Sequence, residues 1–133
     1  MTEVFLDTNV LIYLYSSEAE KAARARALIA QGGIVSVQVL NEFASVARRK
    51  FKVPWDEVRE ALTAIRANLE VMPLTVEIHE GGMSVAERYG FELFDAMLVS
   101  AALTSGARTM YSEDLQDGQI IDGLTIVNPF RAG

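Results

Sequence analysis

Short apolar runs alternate with segments of helical periodicity along the 133-residue chain, and this alternation narrows the possible folds more than any other feature. Four runs have the length and composition of buried strands: residues 3–7, 33–36, 107–112 and 124–130. Strands that alternate with helices favour a parallel sheet covered by helices on both faces. The sequence therefore predicts an α/β fold with three layers, α/β/α, around a central and mostly parallel sheet.

Five longer segments predict helices: residues 17–32, 38–51, 53–69, 75–90 and 95–105. Ser17, with Glu20 three residues later, predicts a capping box at the start of the first of them, and Gly32 is a natural stop. The residues after Asp7 predict the start of another helix. Residues 71–74 predict a brief strand or a connector, and residues 113–123 a loop.

The composition is typical of a globular protein, and we expect one domain over residues 1–133. Hydrophobic residues make up 50% of the chain and charged residues 23%, and the chain has no cysteine, which excludes disulfides and thiolate metal ligands. The first ten residues carry Glu3 and Asp7 but no lysine or arginine, unlike a signal peptide, and no apolar run approaches the roughly 18 residues of a membrane span. We therefore expect a cytoplasmic protein with no membrane partner.

The charge balance gives a mixed indication about nucleic acid. A net charge of −6 disfavours a nucleic-acid ligand, because phosphate binding usually leaves a basic footprint. Most basic residues nevertheless cluster in two segments, residues 21–26 and 48–52. We expect most of them to be solvated residues near helix ends, too far from any acidic site to serve it. Structural or surface positions are likewise expected for four further residues: Phe51, Trp55, Tyr89 and the single histidine, His79.

Four carboxylates occupy positions that a parallel sheet brings to one edge. Asp7 ends the first strand, Glu42 lies on the helix after the second, Asp95 starts the alanine-rich helix and Asp114 follows the strand at 107–112. Helices that follow parallel strands begin at the edge where those strands end, which is also where ligands bind. Clustered carboxylates repel one another, and Mg²⁺ or Mn²⁺, which prefer oxygen ligands, would reverse that repulsion.

Polar side chains flank these acids and could orient water or hold the ligands in place: Thr8, Asn9 and Ser112. Each acid also has a structural explanation. Asp7 fits a polar exit from a strand, Asp95 fits a helix N-terminus and Glu42 fits a solvated helix position. Taken residue by residue, the sequence leaves a shared metal site and four unrelated acids as alternatives.

Four stretches, "FLDTNVLIY", "SVQVLNEF", "FDAMLVSAAL" and "MYSEDLQDG", resemble in this order the motifs of the PIN-domain family and, within it, of the VapC-type toxin ribonucleases. The resemblance implies a PIN-like fold and metal-dependent hydrolysis of RNA phosphodiesters, with Mg²⁺ or Mn²⁺ as cofactor. It implies a catalytic set of Asp7, Glu42, Asp95 and Asp114. Asp7 and Asp95 would be metal ligands, and Glu42 and Asp114 would bind directly or through water. The supporting groups would be Thr8, Asn9, Ser112 and Glu113.

The same resemblance implies two protein partners, a cognate antitoxin that covers the site in a type II toxin–antitoxin pair and a second copy in a homodimer. One departure concerns the fourth acid. Many relatives place another acid and then an aromatic residue after it, whereas this chain has Leu115 and Gln116 there. Asp114 is the predicted fourth acid because it completes Ser-x-Asp. Glu113 and Asp117 are the alternatives.

Two other functions remain possible on the same scaffold. The first is a binding module without catalytic activity, which the four filled acidic positions disfavour. The second is a phosphotransfer domain in which Asp7 is the phosphorylated nucleophile, as in receiver-like proteins. Such a domain would need a second acid beside Asp7 or a lysine at a late strand end, and the sequence shows neither.

Overall fold

The computed structural model describes residues 4–131, and within them six strands form a single sheet. The strands are β1 (Val4–Leu6), β2 (Ile34–Ser36), β3 (Glu70–Met72), β4 (Thr109–Tyr111), β5 (Ile120–Ile121) and β6 (Leu124–Val127). Their order across the sheet is β3-β2-β1-β4-β6-β5, and every pair is parallel except β5 with β6. The predicted α/β fold with a mostly parallel central sheet is confirmed.

Six helices connect these strands: α1 (Thr8–Ile12), α2 (Ala19–Ala30), α3 (Val37–Arg49), α4 (Trp55–Asn68), α5 (Val76–Tyr89) and α6 (Leu93–Ser105). A 3₁₀ turn at Tyr13–Tyr15 extends α1. Within residues 4–131, no helix is long and apolar enough to cross a membrane.

The strand order reverses between β1 and β4. The chain first adds β2 and β3 on one side of β1, then crosses back to place β4 on the other side. Because such crossovers are right-handed, the two directions put helices on opposite faces of the sheet. Open parallel sheets bind ligands at such a reversal, in the crevice beyond the carboxyl ends of the strands. Here that crevice lies beyond Leu6 and Tyr111, which are paired in the register of β1 and β4.

The core lies on both sides of these short strands. Phe5, Val35, Met110 and Ile126 come from the four central strands, and all four are fully buried. Helix α3 adds Val39, Phe43 and Ala47 with the spacing of a single helix face. The carboxyl ends of the strands are therefore anchored by packing just before the chain leaves the sheet.

Three local predictions differ from the structure. The Ser17 capping box is wrong, because α2 begins at Ala19 and the Ser16 hydroxyl accepts the nearby backbone N–H of Glu18 at 3.0 Å. The predicted loop at 113–123 contains strand β5, whose two residues pair with the start of β6. The predicted helix at 95–105 begins two residues earlier. Glu3, placed in the first predicted strand, lies outside the described residues.

Helices α5 and α6 approach closely where α5 has two consecutive glycines. A Cβ on Gly81 would lie 2.5 Å from Ser100 Oγ, and a Cβ on Gly82 would lie 3.0 Å from Met97 Cα and closer still to its sulfur. Such separations are shorter than van der Waals contact. The glycines therefore set how near α6, with Asp95 at its start, lies to the rest of the fold.

We expect Gly82→Ala to destabilise the protein. Alanine in a helix normally stabilises by about 0.5–1 kcal/mol relative to glycine. Here the added methyl group meets the α6 backbone, and overpacking of this kind costs about 1–3 kcal/mol. Urea unfolding should show a lower free energy of unfolding for Gly82→Ala. Ser84→Ala, at an exposed position of the same helix, should stay within about 0.5 kcal/mol of wild type. A Gly82→Ala variant more stable than wild type would contradict the close packing.

Candidate active site

Asp7 lies at the end of β1 and is the N-cap of α1. Its backbone is extended (φ −72°, ψ 159°), and its Oδ1 accepts the backbone N–H of Thr8 at 2.6 Å. Its Oδ2 accepts the Ser112 hydroxyl at 2.8 Å and the Asn9 amide at 3.2 Å. The residue is only 4% exposed. A buried carboxylate whose two oxygens both accept hydrogen bonds is held in one orientation.

Ser112 connects this carboxylate to the turn after β4. Its hydroxyl donates to Asp7 and accepts the backbone N–H groups of Asp114 and Leu115 at 3.2 and 3.3 Å. Asn9 makes a second connection, because its Oδ1 accepts the backbone N–H of Glu113 at 3.1 Å. The Asp7 end of β1 and the Asp114 turn are thus fixed to each other.

Two hydrogen bonds hold the Glu42 side chain, one from α1 and one from its own helix, α3. Its Oε1 accepts the Thr8 hydroxyl at 2.7 Å, and its Oε2 accepts the Gln38 amide at 3.0 Å. The same Gln38 nitrogen donates to the Phe94 carbonyl at 3.0 Å, one residue before Asp95. Sequence reasoning missed Gln38. A glutamine four residues before a glutamate on one helix is the signal that indicates such a pair.

Asp95 is the third residue of α6 because Glu92 caps the helix. The Glu92 carboxylate accepts the backbone N–H groups of Phe94 and Asp95. Burial raises the pKa of Asp95, and the neighbouring carboxylates of Glu92, Asp114 and Glu42 raise it further. The Asp95 side chain is therefore close enough to the other acids to feel their charge.

All four predicted acids line one cavity of about 390 Å³ at the reversal point of the sheet. The cavity is lined by Asp7, Thr8, Asn9, Ile12, Glu42, Ser45, Val46, Arg49, Asp95 and Asp114. Burial raises the pKa of Asp7 from 3.8 to about 7, the Ser112 and Thr8 hydrogen bonds oppose that shift, and the charges of Asp95 and Asp114 add to it. The predicted supporting residues Thr8 and Asn9 lie in the cavity wall, and Ser112 lies directly behind Asp7. The catalytic assignment of these residues stays a prediction.

The carboxylates suit a hard divalent cation by their chemistry. Within residues 4–131, however, no group of three or more acidic or histidine side chains is already arranged to hold an ion. Asp7 and Glu42 each use both carboxylate oxygens in hydrogen bonds to the protein. The side chains of Asp95 and Asp114 make no hydrogen bond within the described part of the chain, so no protein group fixes the direction of their oxygens in the cavity. The donor set fits, with Asp7 and Glu42 fixed and Asp95 and Asp114 adjustable.

The two alternative acids point away from the cavity. Glu113 accepts the Tyr13 hydroxyl and lines a neighbouring cavity. Asp117 accepts the backbone N–H of Asn128 at 2.8 Å and pairs with Arg131 at 2.7 Å, and these contacts lower its pKa. Asp114 is the one residue of the three that lines the cavity with Asp7.

One basic residue lies nearer than expected. Arg49 was predicted to be too far from the acidic edge, yet it lines the carboxylate cavity. Arg49 is seven residues after Glu42 on α3, so two turns of helix bring both to the same face. His79 is exposed and lines a different groove.

Carboxylates gathered at the reversal point of a parallel sheet define this chain as an α/β protein with an acidic edge site. It belongs to the PIN domain family, because the family model matches residues 4–116. The resemblance seen in the sequence motifs is thereby confirmed at the level of the family. A comparison with curated protein sequences found no significant match.

Several solved structures share the fold, among them the following three. A toxin–antitoxin complex from Klebsiella pneumoniae superposes with a TM-score of 0.73 at 22% identity, covering 97% of this chain and 99% of that one. A DNA-bound VapBC from Salmonella typhimurium gives 0.69 at 19% identity, covering 95% and 97%. The sarcin–ricin-loop-cleaving toxin VapC20 from Mycobacterium tuberculosis gives 0.63 at 19% identity, covering 84% and 89%. At these identities the likeness is one of fold.

We expect the stability of Asp7→Asn, relative to wild type, to rise with pH in the metal-free protein. Because the folded state holds the Asp7 proton up to about pH 7, this residue's contribution to stability falls as the pH rises from about 4 to about 7. The amide oxygen keeps the N-cap hydrogen bond without the buried charge, whereas the amide nitrogen cannot accept the Ser112 hydroxyl or the Asn9 amide, a loss that is the same at every pH. Thermal unfolding in chelator should therefore show the stability difference shifting in favour of Asp7→Asn between pH 4 and pH 8, by about 1.4 kcal/mol per pKa unit of the shift.

Asp117→Asn is the matched control, because the pKa of Asp117 is lowered whereas that of Asp7 is raised. Its lowered pKa means that the charged form stabilises the fold above about pH 4, and that this contribution is lost as the pH falls through the folded-state pKa. The variant should therefore unfold at a lower temperature than wild type at pH 7 and match it in acid. A stability difference between Asp7→Asn and wild type that is the same at pH 4 and pH 8 would contradict the buried-charge account.

Proposed function

We propose that this protein is a metal-dependent endoribonuclease and the toxin component of a type II toxin–antitoxin pair. The observation that carries the proposal is the convergence of Asp7, Glu42, Asp95 and Asp114 on one cavity in a member of the PIN domain family. VapC20, one of the proteins with this fold, is described as cleaving the sarcin–ricin loop. The proposed substrate is RNA, and the proposed cofactor is Mg²⁺ or Mn²⁺.

The four acids have different proposed tasks. Asp7 and Asp95 are the proposed metal ligands, with Glu42 and Asp114 binding directly or through water. A bound divalent cation supplies activation of a water molecule and neutralises charge on a phosphodiester. Asp7 is fixed by Ser112 and Thr8, so its oxygens keep their direction when the ligand set assembles.

Thr8 couples two of these acids. Its backbone N–H donates to Asp7 and its hydroxyl donates to Glu42, so one residue sets the separation of the two carboxylates. Gln38 holds the other Glu42 oxygen and joins it to the backbone beside Asp95. These residues do not themselves need to touch RNA. They keep the carboxylates directed into the cavity.

An apolar groove beside Glu42 supports the proposed antitoxin partner. Its wall includes Leu74, Ile78, Phe94 and Met97, and Leu74 and Phe94 are more than half exposed. Two structures with this fold are described as a toxin–antitoxin complex and a VapBC complex. A partner segment in this groove would lie directly beside the carboxylate cavity. We also propose the homodimer that the resemblance implies.

We expect the purified protein to cleave RNA in Mg²⁺ or Mn²⁺ and to lose this activity in chelator. Asp7→Asn and Asp95→Asn should each reduce the cleavage rate by more than the roughly 10- to 100-fold that loss of an outer-shell partner causes. Glu60→Gln, at an exposed position of α4, is the control for general charge effects and should cleave like wild type. Gel analysis of labelled RNA measures all four proteins. Cleavage that survives chelator, or that is equal in both aspartate variants and wild type, would contradict the metal mechanism.

Growth on induced expression separates a toxin from a binding module. Wild type should arrest growth, and Asp7→Asn should relieve the arrest while the protein accumulates to the same level, because removing a ligand removes catalysis but not the fold. Arrest by both proteins at equal level would favour binding without catalysis. Incorporation of labelled phosphate at Asp7 from a phosphodonor would favour the phosphotransfer alternative instead.

A further inference from the structure

A cavity lined by four carboxylates repels the phosphates of a polyanion, so a bound strand needs positive charge close by. Arg49 is the one basic residue that lines this cavity within residues 4–131. Although acids surround it, Arg49 makes no ion pair or hydrogen bond in the described part of the chain. Its side chain is exposed. Its guanidinium is therefore available to a ligand.

The adjacent arginine has a different environment. Arg48 donates to the Val53 carbonyl at 3.0 Å, and its guanidinium lies 4.5 Å from the centre of the Trp55 ring. Successive residues on a helix point about 100° apart. Arg48 therefore packs against the segment that leads into α4, whereas Arg49 faces the cavity. Arg48 therefore has a structural role at the end of α3, whereas Arg49 stays exposed to solvent.

A second cavity continues from the first. It has a volume of about 350 Å³ and shares Asn9 and Ile12 with the carboxylate cavity. Lys50 and Phe51 line it directly after Arg49 in the chain. Phe51 is half-buried: its ring packs against Tyr15 with 5.8 Å between centroids, and the part left uncovered lines the cavity. The exposed Lys50 ammonium lies 5.4 Å from the centre of the same ring.

The second cavity has the features of a nucleoside subsite. Phe51 offers an aromatic surface on which a base can stack, whichever base it is. Lys50 offers a cation at the same place. On the far side the Glu113 charge is offset by Lys21, whose ammonium lies 3.4 Å from the Tyr13 hydroxyl that donates to Glu113. Phosphates are favoured on the Arg49 and Lys50 side, where neither cation has an ion-pair partner within residues 4–131.

We propose that Arg49 binds the RNA phosphate next to the one in the carboxylate cavity, and that the flanking nucleoside occupies the second cavity, with its base against Phe51 and its phosphate near Lys50. The inference rests on the proposed ribonuclease function, because it assigns a flanking subsite to that same site. It adds a direction to the bound strand, which leaves the carboxylates past Arg49 and continues toward Lys50 and Phe51.

The test measures binding rather than cleavage. All proteins carry Asp95→Asn so that the probe survives, and the variants are Arg49→Gln and Phe51→Ala. Arg59→Gln is the matched control, because Arg59 is exposed on α4 and lines neither cavity. Two fluorescent 20-mers serve as probes in Mg²⁺, one an RNA of randomised sequence and the other a phosphate chain of abasic spacers. Circular dichroism and thermal melting confirm that each variant is folded.

Arg49→Gln should weaken binding of both probes about tenfold and reduce the slope of log K against log salt by about 0.7. Phe51→Ala should weaken binding of the RNA about tenfold and leave the abasic probe unchanged, because only the RNA can stack. Arg59→Gln should change neither probe. A purely structural loss at Phe51 would affect both probes equally.

The inference is overturned if Arg49→Gln binds like Arg59→Gln, if Phe51→Ala affects both probes alike, or if none of the proteins binds either probe. The ribonuclease proposal can fail separately. Arg49-dependent binding by a protein whose wild type cleaves no RNA would support the subsite and contradict the enzyme. RNA cleavage by wild type, together with Arg49→Gln binding equal to the control, would support the enzyme and overturn the subsite.

Discussion

The hydrogen bond between Ser112 and Asp7 joins the ends of the two parallel strands on either side of the sheet's reversal point. The rest of the site depends on it, because both strands are only three residues long and the chain leaves the sheet at once. The backbone N–H of Asp7 also donates to the Tyr111 carbonyl at 3.0 Å, so the pairing of β1 with β4 extends to the first residue of the site. A carboxylate buried at this position is unfavourable by itself. The hydrogen bonds from Thr8, Asn9 and Ser112 offset part of the cost of burying it.

The four acids divide into a fixed pair and an adjustable pair, and this division follows from their neighbours. Asp7 and Glu42 have protein donors on both oxygens, and Thr8 serves both of them. Asp95 and Asp114 have no such donors within residues 4–131, and their direction is set by the elements that carry them. This arrangement keeps two of the carboxylates in place and leaves the other two without a hydrogen bond that fixes their direction. Burial is the main cause of the raised pKa values of Asp7 and Asp95, and the charges of neighbouring acids add to both shifts.

Much of the fold was predictable from periodicity, because alternating strands and helices leave few arrangements of a parallel sheet. The positions of the acids at its carboxyl edge followed from the same rule. The remaining features depend on which of several neighbouring groups makes a hydrogen bond, or on which face of a helix is turned to the cavity. Ser16, not Ser17, bonds the backbone before α2. Strand β5 is two residues long and exists only through its pairing with β6. The positions of Gln38 and Arg49 were decided by the rotation of α3, and their spacings of four and seven residues from Glu42 are the signal that would have indicated them.

The turn after β4 directs two neighbouring acids to different cavities. The Ser112 hydroxyl accepts the backbone N–H groups of Asp114 and Leu115, which closes the turn over that hydroxyl. The backbone N–H of Glu113 then donates to Asn9, and its side chain is directed to Tyr13 in the second cavity. Asp114 is left facing the carboxylates. The adjacent acids Glu113 and Asp114 thus line different cavities. Ser112, which donates to Asp7, also accepts the backbone N–H that fixes the position of Asp114.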